Sequence, residues 1–298
     1  MDNVAVKQLL TQVLNDGQIL QNEPMKNHTL FKIGGNADFI VQPNSVEQIS
    51  SLIKLLKDIP YLVIGNGSNL LVCDEGVRKV IIKISNLLSK IEVNGDIIYA
   101  ESGAFLSKIA NVAYNEGLSG FEWAAGIPGT LGGAVMMNAG AYGGEMKDVV
   151  ISTTYIDENG DMQKTSDHKF GYRTSIFEEK KCIILGSEIS LQPKNKDEIK
   201  AYMNELSEKR HSKQPLEYPS AGSTFKRPDS LYAGKLIEDA GLRGYSIGGA
   251  KVSEKHCGFI INSGNATFDD VMNLIEYVQG KVYEQFGVKL ETEVKILR

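Results

Sequence analysis

Three short stretches of the chain carry side chains whose types could do chemistry. In FGYRTSIF (170–177), Arg173 is a cation among aromatic and small polar residues. Its planar guanidinium could clamp a carboxylate or a phosphate, although on spacing alone a structural ion pair is the simpler account. In EYPSAGSTFKRP (217–228), Ser223 follows Ala221 and Gly222, a setting that can expose a hydroxyl in a cleft. The G-x-S-x-G pattern of a nucleophile elbow is absent, so no acyl-enzyme is indicated, and an ordinary loop serine is the alternative. In VKLETEVKIL (288–297), a period of two puts Val288, Leu290, Thr292, Val294 and Ile296 on one face of a strand and Lys289, Glu291, Glu293 and Lys295 on the other. Such a charged face is ordinarily solvated, and spacing cannot choose between Glu291 and Glu293 as a catalytic acid.

Two glycine-rich stretches could bring backbone, not side chains, to a ligand. GIPGTLGGAVMMNAGAYGG (126–144) lies within an uncharged run from Trp123 to Gly144. Pro128, Asn138 and seven glycines in the stretch argue against a membrane span, because they would expose backbone to lipid. Either this backbone packs at a tight corner or its N–H groups hold an anionic cofactor. YLVIGNGSNLLV (61–72) places Gly65 and Gly67 directly after a strand, like a dinucleotide fingerprint, but Leu70 stands where the third glycine belongs and no helix start follows. A strand-loop-strand turn presenting N–H groups, the Ser68 hydroxyl and the Asn69 amide could still bind a diphosphate. Neither loop contains Lys or Arg and there is no G-x-x-x-x-G-K-[ST], so together they suit a neutral cradle for a large dinucleotide.

The elements that must position these residues alternate helix and strand. A short amphipathic helix with Val6, Leu9, Leu10, Val13 and Leu14 on one face ends at Gly17. FIVQP, a helix capped by Ser45 with Gln48 and faced by Ile49, Leu52, Ile53 and Leu56, and YLVIG form a β-α-β unit. VRKVIIKI and IEVNGDIIYAE read as strands, followed by a helix over 107–116. VVISTTYID and GDMQKTS read as a hairpin whose Asn159-Gly160 fits a type I′ turn, and KKCIILGSEISLQP supplies another strand. The composition turns polar near 194–198, which places a domain boundary near Gln192, and a helix with Met203 and Leu206 follows. CGFIIN reads as a strand. Thr267 and Asp270 cap a helix whose buried face is Val271, Leu274, Ile275, Val278, Val282 and Phe286 and which Gly287 ends, before the last strand, VKLETEVKIL.

Composition narrows the function classes. A chain of 298 residues with 42% hydrophobic and 23% charged residues has room for a large core and two domains. A formal net charge of −5 without a basic cluster gives no reason to expect nucleic acid or an anionic membrane. Cys73, Cys182 and Cys257 have no C-x-x-C pattern, and His28, His168, His211 and His256 have no ligand spacing, so neither a disulfide framework nor a metal is expected. MDNVAVKQLL has no apolar core before a cleavage site, so the expected compartment is the cytoplasm.

NHTLFKIGGNADFIVQP, IGNGSNLLV, AAGIPGTLGGAVMMNAGAYGGE, FGYRTSIF, AGSTFKRP and ETEVKI occur in the order found in the UDP-N-acetylenolpyruvoylglucosamine reductase family, and the chain resembles that family over nearly its whole length. The resemblance implies an α+β fold: an FAD-binding domain of the vanillyl-alcohol-oxidase (PCMH) type over residues 1–191, including the first helix, then a smaller α+β substrate-binding domain over 192–298. It implies that non-covalent FAD is wrapped by Ile64, Gly65, Asn66, Gly67, Ser68 and Asn69 and by Gly126, Pro128, Gly129, Thr130, Gly133, Ala134, Asn138, Gly140 and Ala141. NADPH would reduce FAD, and hydride would pass to the methylene carbon of UDP-N-acetylglucosamine enolpyruvate, giving UDP-N-acetylmuramate for peptidoglycan, and with it for cell shape and division.

In that scheme Arg173 and a protonated Glu293 stabilise the enolate and Ser223 delivers the proton as general acid. Lys213 matches a lysine near the substrate diphosphate, with Arg227 and His256 as further phosphate contacts. The fifty positions between Arg173 and Ser223 resemble the family's shorter subtype, which lacks an inserted loop with a lid tyrosine. The UDP-sugar would be the only partner, with neither nucleic acid nor membrane, and the chain a monomer or weak oligomer. Competing readings are another FAD oxidoreductase of the superfamily and a non-catalytic binder of flavin or sugar nucleotide.

Overall fold

A computed structural model describes residues 2–229 and 231–298. The chain falls into two compact units: the residues up to Gln21 with Phe39–Asn66 and Lys79–Lys209, and Asn22–Asp38 with Gly67–Arg78 and Arg210–Arg298. This division differs from a single cut near Gln192, for two physical reasons. Gln192–Pro193 pairs with Leu118–Ser119, and Leu206 of the helix Lys196–Lys213 is buried in a core of the first unit, which keeps the chain through Lys209 there. Phe31, Ile33, Leu71 and Cys73, from the two early segments, are buried in the core of the second unit.

A four-stranded sheet runs in the order Ile19–Pro24, Asn36–Val41, Val77–Lys83, Tyr61–Ile64. The β-α-β unit is present, with helix Val46–Leu55 between its strands in sequence, but Val77–Lys83 is inserted between them in the sheet, parallel to Tyr61–Ile64. Ile49, Leu52 and Ile53 of that helix share a core with Val6 and Leu10 of the first helix, Asn3–Leu10. A second, antiparallel sheet runs Met162–Thr165, Val150–Ile156, Ile183–Ser190, Ile97–Glu101, Ile91–Asn94, and its core includes Ile98, Ala100 and Ile189 with helices Leu106–Asn115 and Leu131–Met136. The expected hairpin forms with a different turn. Only Gly160 is left-handed, at φ 81°, because the Asp157 carboxylate captures the amides of Asn159 and Asp161 at 2.9 and 3.0 Å and holds Asn159 out of a type I′ geometry.

The second unit is built around helix Phe268–Phe286, which buries Val271, Leu274, Ile275, Val278 and Val282 and ends at Gly287 with φ 68°. Phe286, expected on the buried face, is exposed at the frayed end. The helix packs with an antiparallel sheet of Ser246–Ile247, Ala250–Val252 and Ile260–Asn262. The expected last strand is cut to Lys295–Leu297, parallel to Leu70–Val72. Residues 288–294 are irregular apart from one bridge, Phe225 to Thr292. The cysteines are free and buried, no group of three or more metal-ligating side chains occurs among the described residues, and no helix among them is long and apolar enough to cross a membrane.

Asp270 closes the capping box with Thr267 and also accepts the Gly249 amide at 3.0 Å, which ties the helix start to the sheet. The amides of Thr267 and Gly249 hold its carboxyl below the ordinary aspartate value. A depressed native pKa gives stabilisation that is present above the unfolded value of about 3.9 and is lost as pH falls through the native one. Asp270→Ala is therefore expected to lower the unfolding free energy by about 1 kcal/mol near neutral pH. In denaturant titrations the difference should shrink as the pH approaches about 3; a difference independent of pH would refute the charged cap.

Candidate active site

In the first unit the strand Tyr61–Ile64 delivers Gly65 and Asn66 to the start of the second glycine stretch. Asn66 donates from Nδ2 to the Pro128 carbonyl at 2.7 Å, and a Cβ on Gly65 would stand 2.3 Å from the Thr130 hydroxyl. Backbone contact is thus possible only because residue 65 has no side chain. Thr130 precedes helix Leu131–Met136, and the carbonyl of Gly129 accepts from the Leu106 amide at 3.1 Å. Gly129 and Thr130 are buried, yet their amides and that of Gly133 donate to no described residue. Gly140–Ala141 and Gly144–Glu145 then form a small hairpin, packed so closely that a Cβ on Gly144 would enter the Trp123 indole at 2.3 Å.

Arg173 lies in this unit on a tight turn closed by Gly171 and Thr174, whose backbones bond at 3.0 Å. It is half-buried with φ 57°, a left-handed conformation unusual for a side-chain-bearing residue. Its Nη2 donates to the Gly140 carbonyl at 3.3 Å, and its guanidinium lies 5.1 Å from the Tyr172 ring centroid. Upstream, buried His168 bonds the Thr153 hydroxyl at 2.9 Å and stacks on Phe170, and burial pushes its pKa down. Asn138, fully buried with φ 45°, has its whole carboxamide committed within the protein, to the Gly171 carbonyl, to Glu145 and to the Lys147 amide. A cofactor could meet only its backbone. Glu145 was not singled out by sequence; the signal available was that it is the first charge after the uncharged run. Burial raises its pKa, but Lys147, Asn138 and Arg173 together hold it below the ordinary glutamate value.

The second unit holds the rest of the first glycine loop. Gly67 is buried at φ 64°, and a Cβ there would stand 2.0 Å from the His28 carbonyl oxygen. Its carbonyl accepts from Leu30, while its amide and that of Ser68 donate to no described residue. Asn69 donates from Nδ2 to the Glu293 carbonyl at 3.1 Å and accepts from the Lys295 amide at 2.9 Å. Ser223 stands after Gly222, whose φ is 75°, and its hydroxyl bonds no described residue. The Glu293 amide donates to the carbonyl of Thr224 at 2.8 Å, so the backbones bearing Ser223 and Glu293 lie side by side. Glu293 is half-buried, whereas Glu291 is exposed and paired with Lys226 at 3.1 Å. The period-two face that made the two glutamates equivalent does not exist, because the chain here is not a continuous strand.

Also in this unit, His256 accepts the Gly258 amide on Nδ1 at 3.1 Å, which leaves Nε2 to carry the proton of the neutral ring. Burial, with the nearby charge of Lys213, pushes its pKa down. Gly234 and Gly258 pack against the ring. Lys213 is exposed, and Arg227, also exposed, lies 4.7 Å from the Tyr232 ring centroid.

Residues 37–166 match a family model described as FAD binding domain, and residues 214–297 match UDP-N-acetylenolpyruvoylglucosamine reductase, C-terminal domain. A UDP-N-acetylenolpyruvoylglucosamine reductase from Caldanaerobacter subterraneus subsp. tengcongensis is 58% identical, covering 97% of this chain and 96% of its own. The chain belongs to the UDP-N-acetylenolpyruvoylglucosamine reductase family. A reductase of the same description from Alkaliphilus oremlandii is 50% identical over 100% of this chain and 99% of its own. The crystal structure of the Thermus caldophilus reductase superposes with a TM-score of 0.82 at 33% identity, covering 94% and 98% of the two chains. An alkyldihydroxyacetonephosphate synthase, 16% identical with a TM-score of 0.50 over 63% of this chain and 40% of its own, is similar in fold alone.

The residues present fit the family's FAD. Its diphosphate needs hydrogen-bond donors, and both glycine loops supply buried amides that the protein leaves unmatched. Gly67→Ala is accordingly expected to displace its loop against the His28 carbonyl at a cost of about 1–3 kcal/mol. That corresponds to FAD binding weakened roughly ten- to a hundredfold, read as the flavin-to-protein ratio after dialysis; full retention of FAD would remove residue 67 from the cradle.

Proposed function

We infer that this chain reduces UDP-N-acetylglucosamine enolpyruvate to UDP-N-acetylmuramate with NADPH as electron donor, a step in making the peptidoglycan precursor. The observation that carries the reading beyond family membership is the backbone bond from Glu293 to Thr224, which brings the backbone of a half-buried glutamate beside the segment of Ser223, whose hydroxyl bonds no described residue. FAD, when bound, supplies the hydride chemistry between NADPH and the enolpyruvyl double bond. The residues 64–69 and the backbone of residues 126–141 would hold it by amides, without a competing positive side chain.

The protein's own task is to manage charge and one proton. As the double bond is reduced, charge accumulates on the substrate carboxylate. The Arg173 fork offers it two parallel donors, and Glu293 in its protonated form adds a third that strengthens as the charge grows. Ser223 then hands its hydroxyl proton to the carbon next to the carboxylate. Lys213 contributes a positive charge for the substrate diphosphate, His256 a neutral Nε2–H donor fixed by its bond from Gly258, and Arg227 a further cation. The net charge of −5 with no basic cluster supports a small-molecule substrate over nucleic acid. As a supplier of wall precursor the enzyme acts in the cytoplasm, as a monomer or weak oligomer, in support of cell shape and division.

Separated half-reactions test these roles. Ser223→Ala should keep FAD and be reduced by NADPH at the parent rate, yet lose about 10²–10⁴ in the rate at which substrate reoxidises the flavin. Equal losses in both half-reactions would exclude Ser223 as the proton donor. Glu293→Gln should slow the substrate half-reaction by roughly 10² or more, while Glu291→Gln, which removes an exposed ion pair, stays within about twofold of the parent. Comparable rates for the two variants would exclude Glu293 as the acid.

A further inference from the structure

We propose that Asn138 is the positioning residue for Arg173: through the turn that carries it, the buried carboxamide orients the guanidinium toward the substrate carboxylate. The proposal rests on the reading of Arg173 given above. Asn138 donates from Nδ2 to the Gly171 carbonyl at 2.9 Å and to the Glu145 carboxylate at 3.0 Å, and its Oδ1 accepts from the Lys147 amide at 2.9 Å. With no exposed surface, the amide has one satisfied orientation, because reversing it would set its oxygen against both Gly171 and Glu145.

The turn needs such an anchor. Its two internal backbone bonds measure 3.0 and 3.5 Å, the second at the limit of a hydrogen bond, and it must hold an arginine at φ 57°. Asn138 grips it at Gly171, and the Ser175 hydroxyl grips it on the other side of Arg173 by donating to the Met136 carbonyl at 2.6 Å. Met136 and Asn138 both belong to the glycine stretch, as does Gly140, whose carbonyl receives the Arg173 Nη2. The same residue also touches a charge near Arg173: Asn138 and Lys147, the latter at 2.8 Å, hold the Glu145 carboxylate, whose pKa Arg173 helps to lower. Without the Gly171 anchor the turn relaxes toward ordinary φ values and the guanidinium loses its aim.

Glycine at position 138 accepts the observed φ of 45° and removes only the carboxamide, so Asn138→Gly is the informative variant. The measurement is calorimetric binding to the oxidised holoenzyme of UDP-N-acetylmuramate, which bears the carboxylate, and of UDP-N-acetylglucosamine, which lacks it. Asn138→Gly should retain the flavin spectrum, weaken UDP-N-acetylmuramate about tenfold and leave UDP-N-acetylglucosamine within about twofold. Arg173→Ala should show the same selective loss, and the double variant should bind UDP-N-acetylmuramate within about twofold of Arg173→Ala alone. Equal weakening of both nucleotides, or losses that multiply in the double variant, would overturn the proposal. If Arg173→Ala spares the discrimination, the role of Arg173 itself fails; if Arg173→Ala abolishes it and Asn138→Gly does not, the positioning role alone fails. Should Asn138→Gly release FAD, Asn138→Ala, which leaves a Cβ but offers Gly171 no donor, is read by the same criteria.

Discussion

The structure depends on buried backbone amides that meet no acceptor among the described residues. Gly67 in one unit and Gly129 and Thr130 in the other are buried, and their N–H groups meet no described acceptor. A buried donor without a partner costs about 1–3 kcal/mol, so a fold that keeps several is built for a ligand that supplies the acceptors. The absence of Lys and Arg from both loops follows from the same constraint. Charge neutralisation is replaced by geometry, and geometry requires that nothing else occupy the space. Hence residue 65 faces the Thr130 hydroxyl and residue 67 the His28 carbonyl at distances no side chain could share. An FAD held through these amides would stabilise the fold by mass action.

Each unit joins its part of that cradle to a proposed catalytic residue through an asparagine. In the second unit Asn69, next to the unpaired amides of Gly67 and Ser68, bonds the carbonyl of Glu293. In the first, Asn138, downstream of Gly129 and Thr130, bonds the carbonyl of Gly171 on the Arg173 turn. Both bonds end on backbone, so they fix where the proposed catalytic residue starts. Cofactor retention and catalytic geometry thus share the same supports within each unit.

Features set by local chemistry were legible in the sequence. The helix Phe268–Phe286, with its capping box and terminal glycine, and the β-α-β unit follow from periodicity and caps that act within a few residues. That both glycine loops are uncharged and turn tightly was legible for the same reason. What escaped depends on partners distant in sequence. Val77–Lys83 enters between the two strands of the β-α-β unit, which no local pattern specifies. Glu291 and Glu293 were indistinguishable as long as residues 288–297 read as one strand; the bond from the Glu293 amide to Thr224 and the pairing of Lys295–Leu297 with Leu70–Val72 break that regularity and separate them. The place of Asn138 in the glycine stretch was legible, but the bond of its side chain to Gly171 was not, because that acceptor lies 33 residues away.

The left-handed arginine shows why such distant supports are needed. Glycine would hold φ 57° at position 173 without strain, but glycine has no guanidinium; an L-residue there stands about 1–2 kcal/mol above its preferred conformations. The surrounding structure must offset that difference by over-determining the turn. It does so with a carboxamide at Gly171, a hydroxyl from Ser175, the backbone bond from the Ile176 amide to His168, and an imidazole locked between Thr153 and Phe170. Each bond alone is worth about 1 kcal/mol, so no single one explains the conformation, and their convergence on nine residues does. The left-handed turn is therefore a product of these tertiary bonds, and the polar side chains around it hold in place a conformation that local preference alone disfavours.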